Sequence, residues 1–323
     1  MGDSNVVFKG LEASAISTES RAASSATSSR LDSHKPEWFK IKPPTEKYGD
    51  VKSIIKKYGL TTICVEGKCP NLSECWSSGT ATFMVMGDTC TRGCRFCNVK
   101  TAAKGQILDK DEPKKLVQAL KEMNAFDYIV ITSVDRDDLE DQGSNHFAEC
   151  IKAVKKEFPE LIVEVLIPDF RGNIELLKNV VDAKPDVISH NIETVGRLQR
   201  KVRDIKANYN QSLSILETVK KLNPKIITKS AIMVGLGETK EEVIQSMKDL
   251  RKIGVEIFTI GQYLRPSQKH LKIEEWVRPE VFEEYKKLGE EHGFVGVFSG
   301  PFVRSSYKAG EVFIKNFLRG KNA

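Results

Sequence analysis

The chain has no apolar run approaching the roughly 18 residues a membrane span needs, and no basic, then apolar leader of the secretory kind. A soluble, unsecreted protein is expected. It also lacks an RGG segment, an RNP-like stacking motif and a recognisable helix-turn-helix. The excess of 50 Lys and Arg over 44 Asp and Glu, a net charge of +6, therefore points to an acidic protein partner rather than nucleic acid. Nor does the cysteine usage fit a disulfide scaffold, since six of the seven cysteines crowd between residues 64 and 97 of a 323-residue chain. That crowding reads as metal or redox chemistry. Within it, Cys90, Cys94 and Cys97 form C-x3-C-x2-C, one ligand short of the four that zinc or an ordinary iron–sulfur cluster takes, and no histidine lies nearby in sequence.

Residues 1–35 are rich in Ser and Ala and have little to bury, so they are expected to be disordered. Asp3, Glu12, Glu19 and Asp32 argue against a transit peptide, which favours the cytoplasm over the mitochondrial matrix. Ordered structure is expected from Pro36, with a helix in "TEKYGDVKSIIKKYGL". From Thr82 onward, strand-like and helical patterns alternate. The strands expected are Thr82–Met86, Asp127–Ile131, Ile162–Leu166, Asp186–Ile188, Ile226–Met233 and Ile257–Ile260. Helices such as "PKKLVQALKEM", "NIELLKNVV", "SLSILETVKKL" and "TKEEVIQSMKDLRKIG" lie between them. This is the pattern of a parallel sheet of about six β/α units, a partial (β/α)6 barrel rather than a full eight. Four segments follow: 1–35, an N-terminal extension 36–81, the barrel 82–298 and a C-terminal extension 299–323. Polar or glycine-containing motifs follow five of the strands, and in such folds ligands bind at the carboxyl ends of strands. Cys150 lies in the amphipathic "FAECIKAVKKEF" and reads as a buried structural thiol.

Three thiolates wrapped round a cubane leave one iron open. S-adenosylmethionine (SAM) can chelate that iron through its amino and carboxylate groups, and reduction then releases a 5′-deoxyadenosyl radical. A zinc knuckle with a distant fourth ligand is the alternative.

At this point the chain resembles the radical SAM superfamily and, within it, the lipoyl synthase family. The resemblance rests on a second triplet, Cys64-x4-Cys69-x5-Cys75, upstream of the first. It extends through "TSVDRDDL", "HNIETV", "MVGLGET", "TIGQYLRPS" and "GPFVRSSYKAGE", from about Trp38 to Gly310. It implies a radical SAM partial barrel whose two extensions carry an auxiliary 4Fe–4S cluster. Cys90, Cys94 and Cys97 would hold the SAM cluster. Cys64, Cys69 and Cys75 would hold the auxiliary cluster, with Ser306 as its fourth ligand and Ser305 as the fallback. A serine oxygen is a harder ligand than thiolate, which suits an iron that must leave. For SAM, the motifs offer Ser133, Arg136, Asp137, Glu193, Arg203, Gly235, Gly237 and Glu238. "GLGET" also reads as a helix entry capped by Thr239 and Glu242. One departure from the family is Gln142 in "EDQGSNHF", where two glycines are usual.

The activity implied is insertion of sulfur at carbons 6 and 8 of an octanoyl group on a lysine of a lipoyl carrier domain. Such domains belong to 2-oxoacid dehydrogenase acyltransferase subunits and the glycine cleavage H protein. The auxiliary cluster would be consumed as sulfur donor. The reaction consumes SAM and calls for iron–sulfur carrier proteins and a ferredoxin or flavodoxin. The alternatives are a biotin-synthase-like sulfurtransferase, which lacks the upstream triplet and the RSSY motif, and a non-catalytic iron–sulfur carrier, which has no need of five motif-bearing strand ends.

Overall fold

A computed structural model describes residues 35–40, 43–123, 127–306 and 308–321; most of the segment expected to be disordered lies outside them. The strands are β1 (Thr61–Thr62), β2 (Thr82–Val85), β3 (Thr89–Cys90), β4 (Lys100–Thr101), β5 (Tyr128–Ser133), β6 (Ile162–Leu166), β7 (Val187–Ser189), β8 (Ile227–Val234), β9 (Ile257–Gln262) and β10 (Gly296–Gly300). Eight form one curled sheet in the order β1-β2-β5-β6-β7-β8-β9-β10. Only β1 runs antiparallel to its neighbour. β10 pairs with β9 alone, so strand pairing does not close the ring.

Helices Glu112–Met123, Ser144–Glu157, Ile174–Asp182, Tyr209–Leu222, Lys240–Lys252 and Pro279–Glu291 link successive barrel strands. The six expected strands are present, with ends shifted by one or two residues at most. The six expected β/α units are present, and a seventh parallel strand that the sequence reading did not include, β10, follows them. "GVFSG" carries only two large apolar residues between glycines, too weak a pattern to read locally; its pairing with β9 makes it a strand.

Alternation along each strand sorts the core. Ile129, Ile131, Val163, Val165 and Ile188 join the cluster that includes helix residues Leu116, Phe147, Ile151 and Val180. Tyr128, Ile162, Val187, Ile227 and Ile257, at the starts of five strands, gather with Ile314 of helix Lys308–Lys321. That helix covers the amino-terminal mouth of the barrel. Further in, Lys229 Nζ pairs with both carboxylate oxygens of Glu164 at 2.8 and 3.0 Å, and Tyr128 donates its hydroxyl to Glu164. The Thr239–Glu242 capping box is present. Gln142 (φ 49°) and Gly143 (φ 77°) are both left-handed, the conformation glycine favours. Gly143 is also crowded: a Cβ there would lie 2.1 Å from Met86 Sδ, so the Met86 side chain would have to move.

Candidate functional site

The carboxyl-terminal mouth of the barrel holds a cavity of about 360 Å³, and all six clustered cysteines line it. None of the seven cysteines forms a disulfide. Cys150 is fully buried in the core between helices and barrel, as a structural thiol should be.

The loop carrying Cys90, Cys94 and Cys97 leaves β2 through Met86, whose φ is 70°. The Glu112 carboxylate accepts the Met86 N–H at 2.9 Å and pairs with His146 Nε2 at 2.6 Å, stabilising that turn. The loop is then anchored from two sides. Gly93 N–H donates to Asp204 (2.8 Å) and Arg95 N–H to the Val202 carbonyl (2.9 Å). His270 Nε2 donates to the Cys97 carbonyl (2.9 Å) and Leu271 N–H to that of Arg95 (3.3 Å).

Cys64, Cys69 and Cys75 come from two short helices, Ile63–Glu66 and Leu72–Ser77, and the loop between them. Two asparagines tie this segment down. Asn98 of the downstream loop donates to the Glu66 carbonyl at 2.7 Å, and Asn71 donates to the Phe302 carbonyl at 2.6 Å. The second bond brings in the C-terminal segment, so Ser305 and Ser306 line the same cavity. That segment crosses β9 at Gly261, where a Cβ would lie 2.0 Å from the Val303 carbonyl oxygen.

Burial, joined by the Asp135 carboxylate, pushes the Cys90 and Cys94 thiols up to about 12; burial, joined by Cys90 and Glu193, does the same for Cys97, and burial lifts Cys64 to about 11. Without a cation these thiols stay protonated, and metal binding would displace their protons. Arg92, buried at the mouth, meets Asp135 (3.3 Å), Asp137 (3.0 Å) and Asp169 (2.7 Å). Burial pushes Asp135 up to about 6, against the pull of Arg92. Burial also opposes ionisation of Asp169, but the Arg92 guanidinium holds it down at about 2. Burial and the nearby Arg203 lower His190 to about 4, leaving a neutral ring. Both His190 nitrogens are engaged, Nδ1 with the Ile167 carbonyl and Nε2 with Ser212, so it offers no fourth zinc ligand.

The candidate SAM residues divide. Ser133, Glu193 and Arg203 line the cavity. Glu193 has a left-handed φ of 63°, accepts from Asn191 at 3.1 Å, and is raised above the usual carboxylate range by burial. Asp137 stands behind the cavity, paired with Arg92 and Lys206. Arg136 pairs with Asp138 at 2.8 Å, away from the lining. Gly235 and Gly237 sit in the loop after β8 and also lie outside the lining. There Glu238 accepts the N–H groups of Gly235 and Leu236.

Several lining residues escaped the sequence reading: Arg92, Asp135, Asp169, Asn191 and Asn71. Arg92 and Asn71 lie inside the cysteine spacings, and the others just beyond strand ends; those positions were the available signal. Ser133 Oγ, Asn191 Oδ1 and Asp169 Oδ2 are buried with no hydrogen-bond partner among the described residues. Native interiors rarely leave such groups unpaired. Two sets of three thiols, a nearby serine pair and these orphaned polar atoms fit iron–sulfur clusters with a polar organic ligand.

Residues 84–250 match the family model of the Radical SAM superfamily. The chain is 52% identical over 289 residues to "Lipoyl synthase, apicoplast" of Plasmodium falciparum (isolate 3D7), covering 89% of this chain and 69% of that one. It is 52% identical over 292 residues to "Lipoyl synthase" of Anaeromyxobacter sp. (strain Fw109-5), covering 90% and 99%. In fold it is similar to the FeFe-hydrogenase maturase HydG from Carboxydothermus hydrogenoformans, with a TM-score of 0.53 and 13% identity over 92% of this chain and 82% of that one.

Proposed function

The chain belongs to the lipoyl synthase family of radical SAM enzymes, and from that premise we propose how its residues divide the work of inserting sulfur into an octanoyl group on a lysine of a carrier domain. Cys90, Cys94 and Cys97 would hold the 4Fe–4S cluster that binds SAM; when bound, that pair supplies a radical able to take hydrogen from an unactivated carbon. Cys64, Cys69 and Cys75, with Ser306 as fourth ligand, would hold an auxiliary cluster that supplies the two sulfur atoms. The N-terminal extension from residue 43 to 81 and the segment 299–306 thus act together at the carboxyl-terminal mouth of the barrel, while helix Lys308–Lys321 covers the opposite end.

Arg92 anchors the SAM-cluster loop by bridging Asp135, Asp137 and Asp169. Ser133, Asn191, Glu193 and Arg203 offer the polar contacts SAM needs. Met84, Leu166 and Met233 line the same cavity and supply apolar wall for the octanoyl chain. Iron–sulfur carrier proteins and a ferredoxin or flavodoxin would serve as partners. No described helix is long and apolar enough to cross a membrane. The cytoplasm remains the proposed compartment, with the mitochondrial matrix as its alternative.

The observation that carries this reading is the meeting of both triplets and Ser305–Ser306 in one cavity. The test is an anaerobic assay of reconstituted protein with SAM, a reductant and an octanoyl-lysine peptide, followed by mass spectrometry. Replacing Cys90, Cys94 and Cys97 with alanine should abolish 5′-deoxyadenosine and leave one cluster. Replacing Cys64, Cys69 and Cys75 should leave 5′-deoxyadenosine formation and abolish carbon–sulfur bonds. Lipoyl product from the second variant would remove the sulfur role from that triplet.

A further inference from the structure

Beside the cavity runs a second, wider groove of about 1320 Å³. One wall is the helix Glu46–Tyr58 and the cysteine-bearing loop after it; the other is the segment 264–276 following β9. Its lining includes Lys35, Lys52, Lys56, Lys68, Arg265 and Lys272, and no Asp or Glu. Across the whole chain, cations exceed acids only 50 to 44, so this groove concentrates charge that is nearly balanced elsewhere.

The cations are poised outward. Lys35, Lys52, Lys56 and Lys272 are exposed, and none has a carboxylate partner among the described residues. By contrast Lys57, on the far side of the same helix, is paired with Glu122 at 2.6 Å. An unpaired set of like charges repels itself and is stabilised by a partner of opposite sign. Between the cations lies an aromatic floor of Phe39, Tyr48, Trp76 and Trp276. The Phe39 and Trp276 rings pack edge to face at 5.8 Å. An apolar floor with a basic rim suits a protein that lays down an acidic face and threads an apolar arm between. The groove also runs into the cavity. Cys64, Lys68, Cys69 and Leu72 line both.

We propose that this groove docks the acidic face of the acyl-carrier domain, with Lys52 and Lys56 on one wall and Lys272 on the other. It guides the acyl-lysine arm past Cys69 into the cavity. This rests on the functional reading above, whose substrate it places on the surface.

The test is a triple charge reversal, Lys52→Glu, Lys56→Glu and Lys272→Glu, beside the milder triple change to Gln. Both are compared with the wild-type holoenzyme. The probes are an acidic octanoylated carrier domain, a short uncharged octanoyl-lysine peptide and a single-stranded RNA. Binding is read by fluorescence anisotropy at low and high salt. The reversal should weaken carrier binding by about tenfold or more, the Gln set by less, as expected when steering charges are lost. Wild-type carrier binding should weaken with salt, and that dependence should flatten in the reversal variant. Conversion of the short peptide, and cluster content, should stay within about twofold of wild type. Unchanged carrier affinity in the reversal variant overturns the proposal. So does RNA binding that the substitutions abolish while carrier binding persists. Failure of wild type to convert even the short peptide would instead defeat the functional reading.

Discussion

Asn71 Nδ2 donates a 2.6 Å hydrogen bond to the carbonyl oxygen of Phe302, 231 residues away in sequence. That bond fastens the loop between Cys69 and Cys75 to the segment carrying Ser305 and Ser306. The bond is partly buried, so its loss should cost about 1 kcal/mol. Asn71→Ala should therefore shed iron from the auxiliary site faster than wild type. SAM cleavage should continue, because the loop of Cys90 to Cys97 is anchored elsewhere. Iron analysis and 5′-deoxyadenosine quantification check both halves. Equal iron retention would show that the bond is not holding the site together.

Ser306→Cys separates a ligand from a surface turn. A thiolate in place of the serine oxygen completes a four-cysteine site of the stable kind. Iron content should stay near wild type while lipoyl formation falls. Ser306→Ala should lose both product and cluster stability. Wild-type product from both variants would shift the test to Ser305.

Gly261 is where β9 lets the C-terminal segment pass. A Cβ there would lie 2.0 Å from the Val303 carbonyl, so Gly261→Ala must push that backbone away. Overpacking of this kind costs about 1–3 kcal/mol. Product should fall well below wild type while 5′-deoxyadenosine still forms. An unchanged product yield would mean that the crossing is not needed for sulfur insertion.

The buried Lys229–Glu164 pair, with Tyr128 on the same carboxylate, should matter to stability and not to chemistry. Lys229→Met leaves the buried Glu164 carboxylate without its cation and should destabilise by about 3–5 kcal/mol. Adding Glu164→Gln should recover much of the loss, since the amide still accepts from Tyr128 and carries no charge. Denaturant midpoints of the three proteins decide it; a double variant no better than the single would refute the charge explanation.

The cysteine spacings and the alternation of strand and helix were legible in the chain because both are local patterns. Three thiols within eight residues can share one metal centre, and apolar periods of two and 3.6 mark which face is buried. The capping box at Thr239 and the buried Cys150 were readable for the same reason. The SAM candidates were less so. Ser133, Glu193 and Arg203 reached the cavity, but Arg136 found Asp138, and Glu238 turned back on its own loop. A polar side chain at a strand end can satisfy a ligand or a neighbour, and sequence spacing does not distinguish them.

The sequence alone determined the kinds of ligand available and the repeating unit of the fold, since residue type and period are properties of short stretches. Tertiary structure decided that β10 is a strand, that helix Lys308–Lys321 covers the barrel's base, and that Ser305 and Ser306 share a cavity with Cys64. Each of those depends on contacts between residues far apart in the chain, such as Asn71 with Phe302 or the Val303 carbonyl over Gly261. Such contacts exist only once the barrel has curled and brought its two extensions together.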